Sequence, residues 1–278
     1  MNKYKLLQHK YILAGMILTA CSPKIADKIS WQSNPVIIDG KAVEYQHMRN
    51  YINETKMVYS LSNNSKNLYL CLKTSDEIMQ RKIIRAGMEI WIDTTTKAKK
   101  QIGILYPLPN SHKMNLGEMQ VPVNNERKMP DITKMKQMFT LEQTSMQLVG
   151  FKHNISGLRH LEDNSGIKVK LNWDSTNTMI YEVVVPLKTF YSESVSNSDS
   201  TKLFNLTIEV NGIAMPKMPL GDRPGGGDDP GGGMQGGGMQ GGGMQGGPPH
   251  GSNSMGNMST MTEKNTFTKK FRLAVKEQ

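Results

Sequence analysis

Apolar residues recur at period two in short runs along the chain, a rhythm that predicts strands. The pivot is Gly87-Met88-Glu89-Ile90-Trp91-Ile92-Asp93, where Met88, Ile90 and Ile92 share one face and Glu89, Trp91 and Asp93 the other. Before it, Ile78, Met79, Ile83 and Ala86 have helical spacing. Asp76 stands at the start of that helix as a capping acid and Gly87 at its end as a stop. After it, residues 94–100 form a polar turn and 101–106 return as a second strand. A helix feeding a hairpin is therefore the predicted centre of the fold.

Further strands follow from the same rhythm. Residues 57–61 and 68–73 flank a polar, turn-rich tip at 62–67, which predicts a hairpin. Val36, Ile37 and Ile38 lead into Asp39-Gly40, a turn dipeptide. Strands are also expected at 146–149, at 167–173, and at 180–185, the last stopping at Pro186. Phe204, Leu206, Ile208 and Val210 alternate within 203–210, and a final strand is predicted over 267–275. Ile132, Met135, Met138 and Phe139 predict one short amphipathic helix. Many short strands, little helix and no βαβ rhythm give an antiparallel β-sandwich, jelly-roll or immunoglobulin-like, with one or two short helices.

From 221 to 262 the composition changes abruptly. A Gly-Gly-Gly-Met-Gln repeat places Met234, Met239 and Met244 in register. Such glycine content cannot repay the entropy of ordering, so a mobile insert between the last two strands is expected. Within it Met255, Met258 and Met261 are spaced three apart, with Met244 and His250 nearby. Soft thioethers at such spacing suit Cu(I), and the arrangement resembles the methionine motifs of envelope copper-handling proteins. The alternative is a low-complexity linker with sticky side chains and no cofactor.

The amino terminus is patterned differently. Lys3, Lys5 and Lys10 precede an apolar run over 11–18, too short to span a bilayer but suited to a secretory signal. The run ends in Leu18-Thr19-Ala20-Cys21, which resembles the bacterial lipoprotein cleavage box. That resemblance implies cleavage before Cys21 and a lipid on it, hence a membrane partner through the anchor. The expected organisation is a signal peptide over 1–20, a tether over 21–30, and a sandwich over 31–278 interrupted by the insert. An outer-membrane lipoprotein follows, facing either the periplasm or the surface. With Cys21 modified, Cys71 has no partner for an intramolecular disulfide and reads as a small buried side chain.

The 278 residues are 37% hydrophobic and 21% charged, enough for one sizeable core. The formal charge is +10, and removing the three leader lysines leaves about +7. No basic patch is interleaved with aromatics, so nucleic acid is not expected as a partner.

Trp31, Ile38-Asp39-Gly40-Lys41, Glu44-Tyr45, Leu68-Tyr69-Leu70, Glu89-Ile90-Trp91-Ile92-Asp93 and Tyr181-Glu182-Val183-Val184-Val185-Pro186-Leu187 occur in that order. Together they resemble family 9 carbohydrate-binding modules and the related DOMON-like sandwiches. The resemblance implies a non-catalytic domain that binds sugars on aromatic platforms. Trp31 and Tyr45, near strand ends, are the first platform candidates. Trp91 and Trp173 lie within strands and read first as core; Trp91 is kept as a further candidate because the alternation turns it away from Met88 and Ile90. Some DOMON-like relatives bind haem through Met and His, but His47, His112, His153 and His160 show no diagnostic spacing. No phosphate loop, His-Glu-x-x-His or Gly-x-Ser-x-Gly occurs, so no enzyme is expected. The functional expectation is glycan binding, with an envelope protein partner as the alternative.

Overall fold

The helix and the hairpin it feeds form where the capping signals place them. In the computed structural model, which describes residues 27–45, 48, 50–95, 97–109, 136, 139, 142–214 and 259–276, α1 spans Glu77–Ala86. The Asp76 carboxylate accepts the Met79 N–H at 2.8 Å. Gly87 ends the helix with φ +83°, its N–H bonded to the Ile83 carbonyl. Met79, Ile83 and Ile84 face the core. No helix among the described residues is long and apolar enough to cross a membrane.

Two sheets form the predicted β-sandwich. In chain order the strands are β1 (Asp27–Lys28), β2 (Ser30–Trp31), β3 (Asn50–Ile52), β4 (Met57–Asn63), β5 (Asn67–Thr74), β6 (Met88–Asp93) and β7 (Ile102–Leu105). After these come β8 (Ser145–Val149), β9 (Gly157–His160), β10 (Lys168–Trp173), β11 (Met179–Pro186), β12 (Phe204–Val210) and β13 (Asn265–Arg272). The seven-stranded sheet runs β1-β13-β12-β6-β7-β8-β9. The six-stranded sheet runs β10-β11-β5-β4-β2, with β3 also on β4. Helix α1 carries the chain from β5 in one sheet to β6 in the other.

Alternation decides which face of each strand is buried. Met88, Ile90 and Ile92 of β6 meet Leu206, Ile208 and Val210 of β12 across the sheet and point into the core with Tyr59, Leu70, Leu72, Tyr181 and Val183. Phe204 of β12 stacks on its cross-strand partner Phe271 of β13 at 5.5 Å. Trp173 packs against this core, edge-on to Phe139, and donates its indole N–H to Gln80.

The sheets begin earlier than the pattern predicts. β1 pairs in parallel with the end of β13, and β2 pairs in parallel with the end of β4. Residues expected to be tether are thus already part of both sheets. Like β1 and β2, the strands β3 and β9 were not predicted, because runs of two to four residues carry too little alternation to read.

The last two strands flank the insert as expected. Residues 215–258 lie outside the described residues, and with them most of the Gly-Met-Gln segment. Its two stems are tied together: Ile213 N–H donates to the Met261 carbonyl at 2.9 Å. Fully buried Lys82 of α1 donates to the carbonyls of Thr260 (3.1 Å) and Glu263 (2.6 Å) and to Asn265 Oδ1.

On the outer face of the seven-stranded sheet, buried Glu209 is held between two cations. Lys100 reaches its Oε1 at 2.5 Å and Lys264 its Oε2 at 2.7 Å. Burial alone would push this carboxyl up, but the two ammonium groups more than offset it and hold it below its ordinary value. A depressed carboxylate contributes stability that is present above its unfolded pKa and lost as pH falls through the folded one. Glu209→Gln should therefore lose about 1–3 kcal/mol at neutral pH. Its stability should also depend less steeply on pH between about 5 and 2 than that of the wild type. Urea unfolding at neutral pH and across that acid range measures both, and equal pH slopes for the two proteins would refute the assignment.

Candidate functional site

The most distinctive surface lies on the outer face of the six-stranded sheet. Lys170, Glu182, Cys71 and Ser60 are consecutive cross-strand partners in one row across β10, β11, β5 and β4. Glu182 and Cys71 are fully buried although they face outward, because the segment over 36–45 roofs them. Ala42 and Tyr45 of that roof pack on Cys71 and Ile180, with Val36 and Met48 at the margin.

The Asp39-Gly40 turn pins the roof in place. Both amides donate to Glu182 Oε2, Asp39 at 3.1 Å and Gly40 at 2.7 Å. Gly40 has φ +79°, and a Cβ there would come within 2.5 Å of the Asn172 Cβ. Only glycine meets both demands. Burial raises the Glu182 carboxyl, the Gly40 amide pulls it down, and the charges of Asp39 and Glu44 raise it further; the outcome is upward. Burial also lifts the Cys71 thiol and the Tyr45 phenol well above their ordinary values. A fully covered thiol of that kind is structural, as the sequence predicts.

Where the roof meets the edge of β4 that faces away from β5, a groove opens. Two short strands share that edge: β3 pairs with residues 57–59 and β2 with 62–63, which leaves Ser60 in the notch between them. The groove holds about 500 Å³. Ser30, Gln32 and Asn34 line it from β2 and its continuation, Ser60 from β4, and Val43, Glu44 and Tyr45 from the roof. Gln32 is positioned by its own N–H on the Asn63 carbonyl and by Ser62, whose hydroxyl donates to Gln32 Oε1. Glu44 Oε1 accepts the Ile37 N–H at 3.1 Å. Glu44 Oε2, Tyr45 Oη and Glu182 Oε1 are buried with no hydrogen-bond partner among the described residues.

Exposed apolar side chains gather on the same side. Ile37 (65% exposed) and Val43 (61%) belong to the roof. Tyr51 (58%) sits on β3 opposite Val58, so it shares the outer face with Ser60, two residues further along β4. Of the large hydrophobics that are exposed among the described residues, Leu158 alone lies elsewhere, on β9.

The three predicted platform residues are not brought together. Tyr45 reaches the groove but is buried to its hydroxyl. Trp31, half-buried, is opposite Asn63 and so faces the other side of the sheet from Ser30. Trp91 is on the outer face of the other sheet, where its ring covers Gly103 and its Nε1 donates to Glu89 at 2.9 Å. A Cβ at Gly103 would fall 2.4 Å from that ring, so Trp91 fills the space its partner lacks. Sequence reading missed Gln32, Asn34, Ser60 and Tyr51. Only the pairing of β2 and β3 on one edge reveals them, and no periodic signal marks that.

Of the predicted copper ligands, His250, Met255 and Met258, like Cys21, lie outside the described residues. Met261 is half-buried in a helical turn over 259–262. Among the described residues, no set of His, Cys, Asp and Glu comes together to hold a metal ion. Asp93 is buried and accepts the N–H groups of Lys100 and Gln101, shaping the β6–β7 turn. No protein-family model, curated protein or solved structure matches the chain.

Proposed function

We propose that this protein is a lipid-anchored envelope protein, tethered through Cys21, that binds a glycan without catalysis in the groove at the β4 edge. The observation that carries the reading is the groove's lining. Amide, hydroxyl and carboxylate groups from Gln32, Asn34, Ser30, Ser60 and Glu44 surround about 500 Å³ beside an aromatic residue, Tyr45. That volume is within the usual range for small-ligand sites, roughly 300–1,000 Å³. Side chains that both donate and accept suit a ligand rich in hydroxyls. The resemblance to family 9 carbohydrate-binding modules points the same way.

A protein partner in the envelope is the second reading, favoured by the exposed Ile37 and Val43 on the roof. An array of plant, host and bacterial polysaccharides, probed with purified full-length protein in detergent, separates the two. Glycan binding predicts retention on at least one class and its loss in a Gln32→Ala/Glu44→Ala double variant. Silence across the array would refute it in favour of the protein partner.

A further inference from the structure

From the line of residues along the β4 edge, we infer that the groove takes an oligosaccharide rather than a single sugar, with Tyr51 as the stacking platform at one end. The inference rests on the glycan reading of the groove and adds to it a binding residue, a direction and a minimum ligand length.

Tyr51 is opposite Val58, Ser60 stands in the notch, and Ser30 is opposite Ser62. All are on the outer face of the same sheet. Four residues of strand separate the Tyr51 row from the Ser30 row, roughly 13 Å at the strand rise. Gln32 and Asn34 extend the line further. A single ring held at the polar end by Gln32 and Asn34 cannot reach Tyr51; a chain of linked rings can.

Chemistry differs along the line in a way that suits such a chain. The far end is amide and hydroxyl, fixing a ring by its substituents. The near end is a tyrosine ring, 58% exposed although Ile52 beside it is buried against the core. Aromatic faces pack against the apolar C–H faces of a pyranose, and tyrosine does so at low entropic cost because it has only two side-chain torsions. Val43, 61% exposed, adds apolar surface to the groove wall.

The test uses full-length protein in detergent and titration calorimetry with defined probes. These are glucose, xylose and mannose, together with the cello-, laminari-, xylo- and manno-oligosaccharides of two to six rings, and chitooligosaccharides of the same lengths. The expected result is an affinity that rises at least tenfold from one ring to about three in the series that binds. Tyr51→Ala should abolish that gain and leave the weak single-ring binding intact, while Tyr51→Phe should keep most of it. Because Tyr51 is exposed, the unfolding midpoint of Tyr51→Ala should match that of the wild type. An affinity independent of length, or a Tyr51→Ala variant that binds long oligomers as the wild type does, overturns the inference and leaves the groove reading standing. A wild type that binds no probe of any length overturns both.

Discussion

Phe271→Ala is expected to cost about 3–5 kcal/mol, the largest loss of any single truncation considered. Its side chain is 1% exposed and stacks on Phe204, whose other neighbour is the edge-on ring of Tyr191. Removing it strips one face of Phe204 and opens a cavity that Phe204, held edge-on by Tyr191 from another element, cannot collapse to fill. Its backbone also pairs with Asp27, so the loss reaches the first strand as well. Phe267→Ala, in the same strand but only partly buried, should cost clearly less. Phe271→Leu should stay below about 1.5 kcal/mol because it nearly conserves volume. Guanidinium unfolding followed by tryptophan fluorescence ranks the three. If Phe271→Ala and Phe267→Ala lose equal stability, β13 does not seat the core as described.

Gly40→Val should have the second largest effect, local in extent. A β-branched residue at φ +79° is strained by about 1–3 kcal/mol, and its Cβ would collide with Asn172. The roof should lift from the sheet while the inner core, on the opposite face, stays intact. Cys71 reports the change directly, since it is fully buried beneath Ala42 and Tyr45. In a Cys21→Ser background the wild-type thiol should resist a disulfide reagent under native conditions. Gly40→Val should expose it, with at least a tenfold faster reaction. Glu182→Leu, which removes the acceptor of two roof amides, should act in the same direction. A Cys71 that stays protected in both variants would show that the roof is held by something other than this turn.

Most of the fold was legible because burial imposes a period on sequence. β6, β10 and β12 alternate cleanly, and α1 announces both its ends with a capping carboxylate and a left-handed glycine. The Asp39-Gly40 turn was legible too, but its role in holding the roof was not. Nothing local says that its amides will meet Glu182, 142 residues away from Gly40. The site was less legible for a related reason. Gln32 and Ser60 are ordinary polar residues until two short strands are placed on one edge of β4. Trp91 kept a platform reading beside its core one because it points outward, while the glycine across from it, on which the ring rests, becomes its neighbour only through the register of β6 and β7.

The amino-terminal strands have a mechanical consequence. Within five residues the chain bonds first to the edge of one sheet, through β1 on β13, and then to the edge of the other, through β2 on β4. A load arriving along the amino-terminal segment meets β1 first, where two residues pair and Ile29 N–H holds the Arg272 carbonyl. Those few bonds would yield before β2, and their release would pay out roughly 3.4 Å of chain for each freed residue. Force would reach the packed faces of the sandwich last. Under such a load the first strand would give way before the β2 pairs whose Ser30 lines the groove.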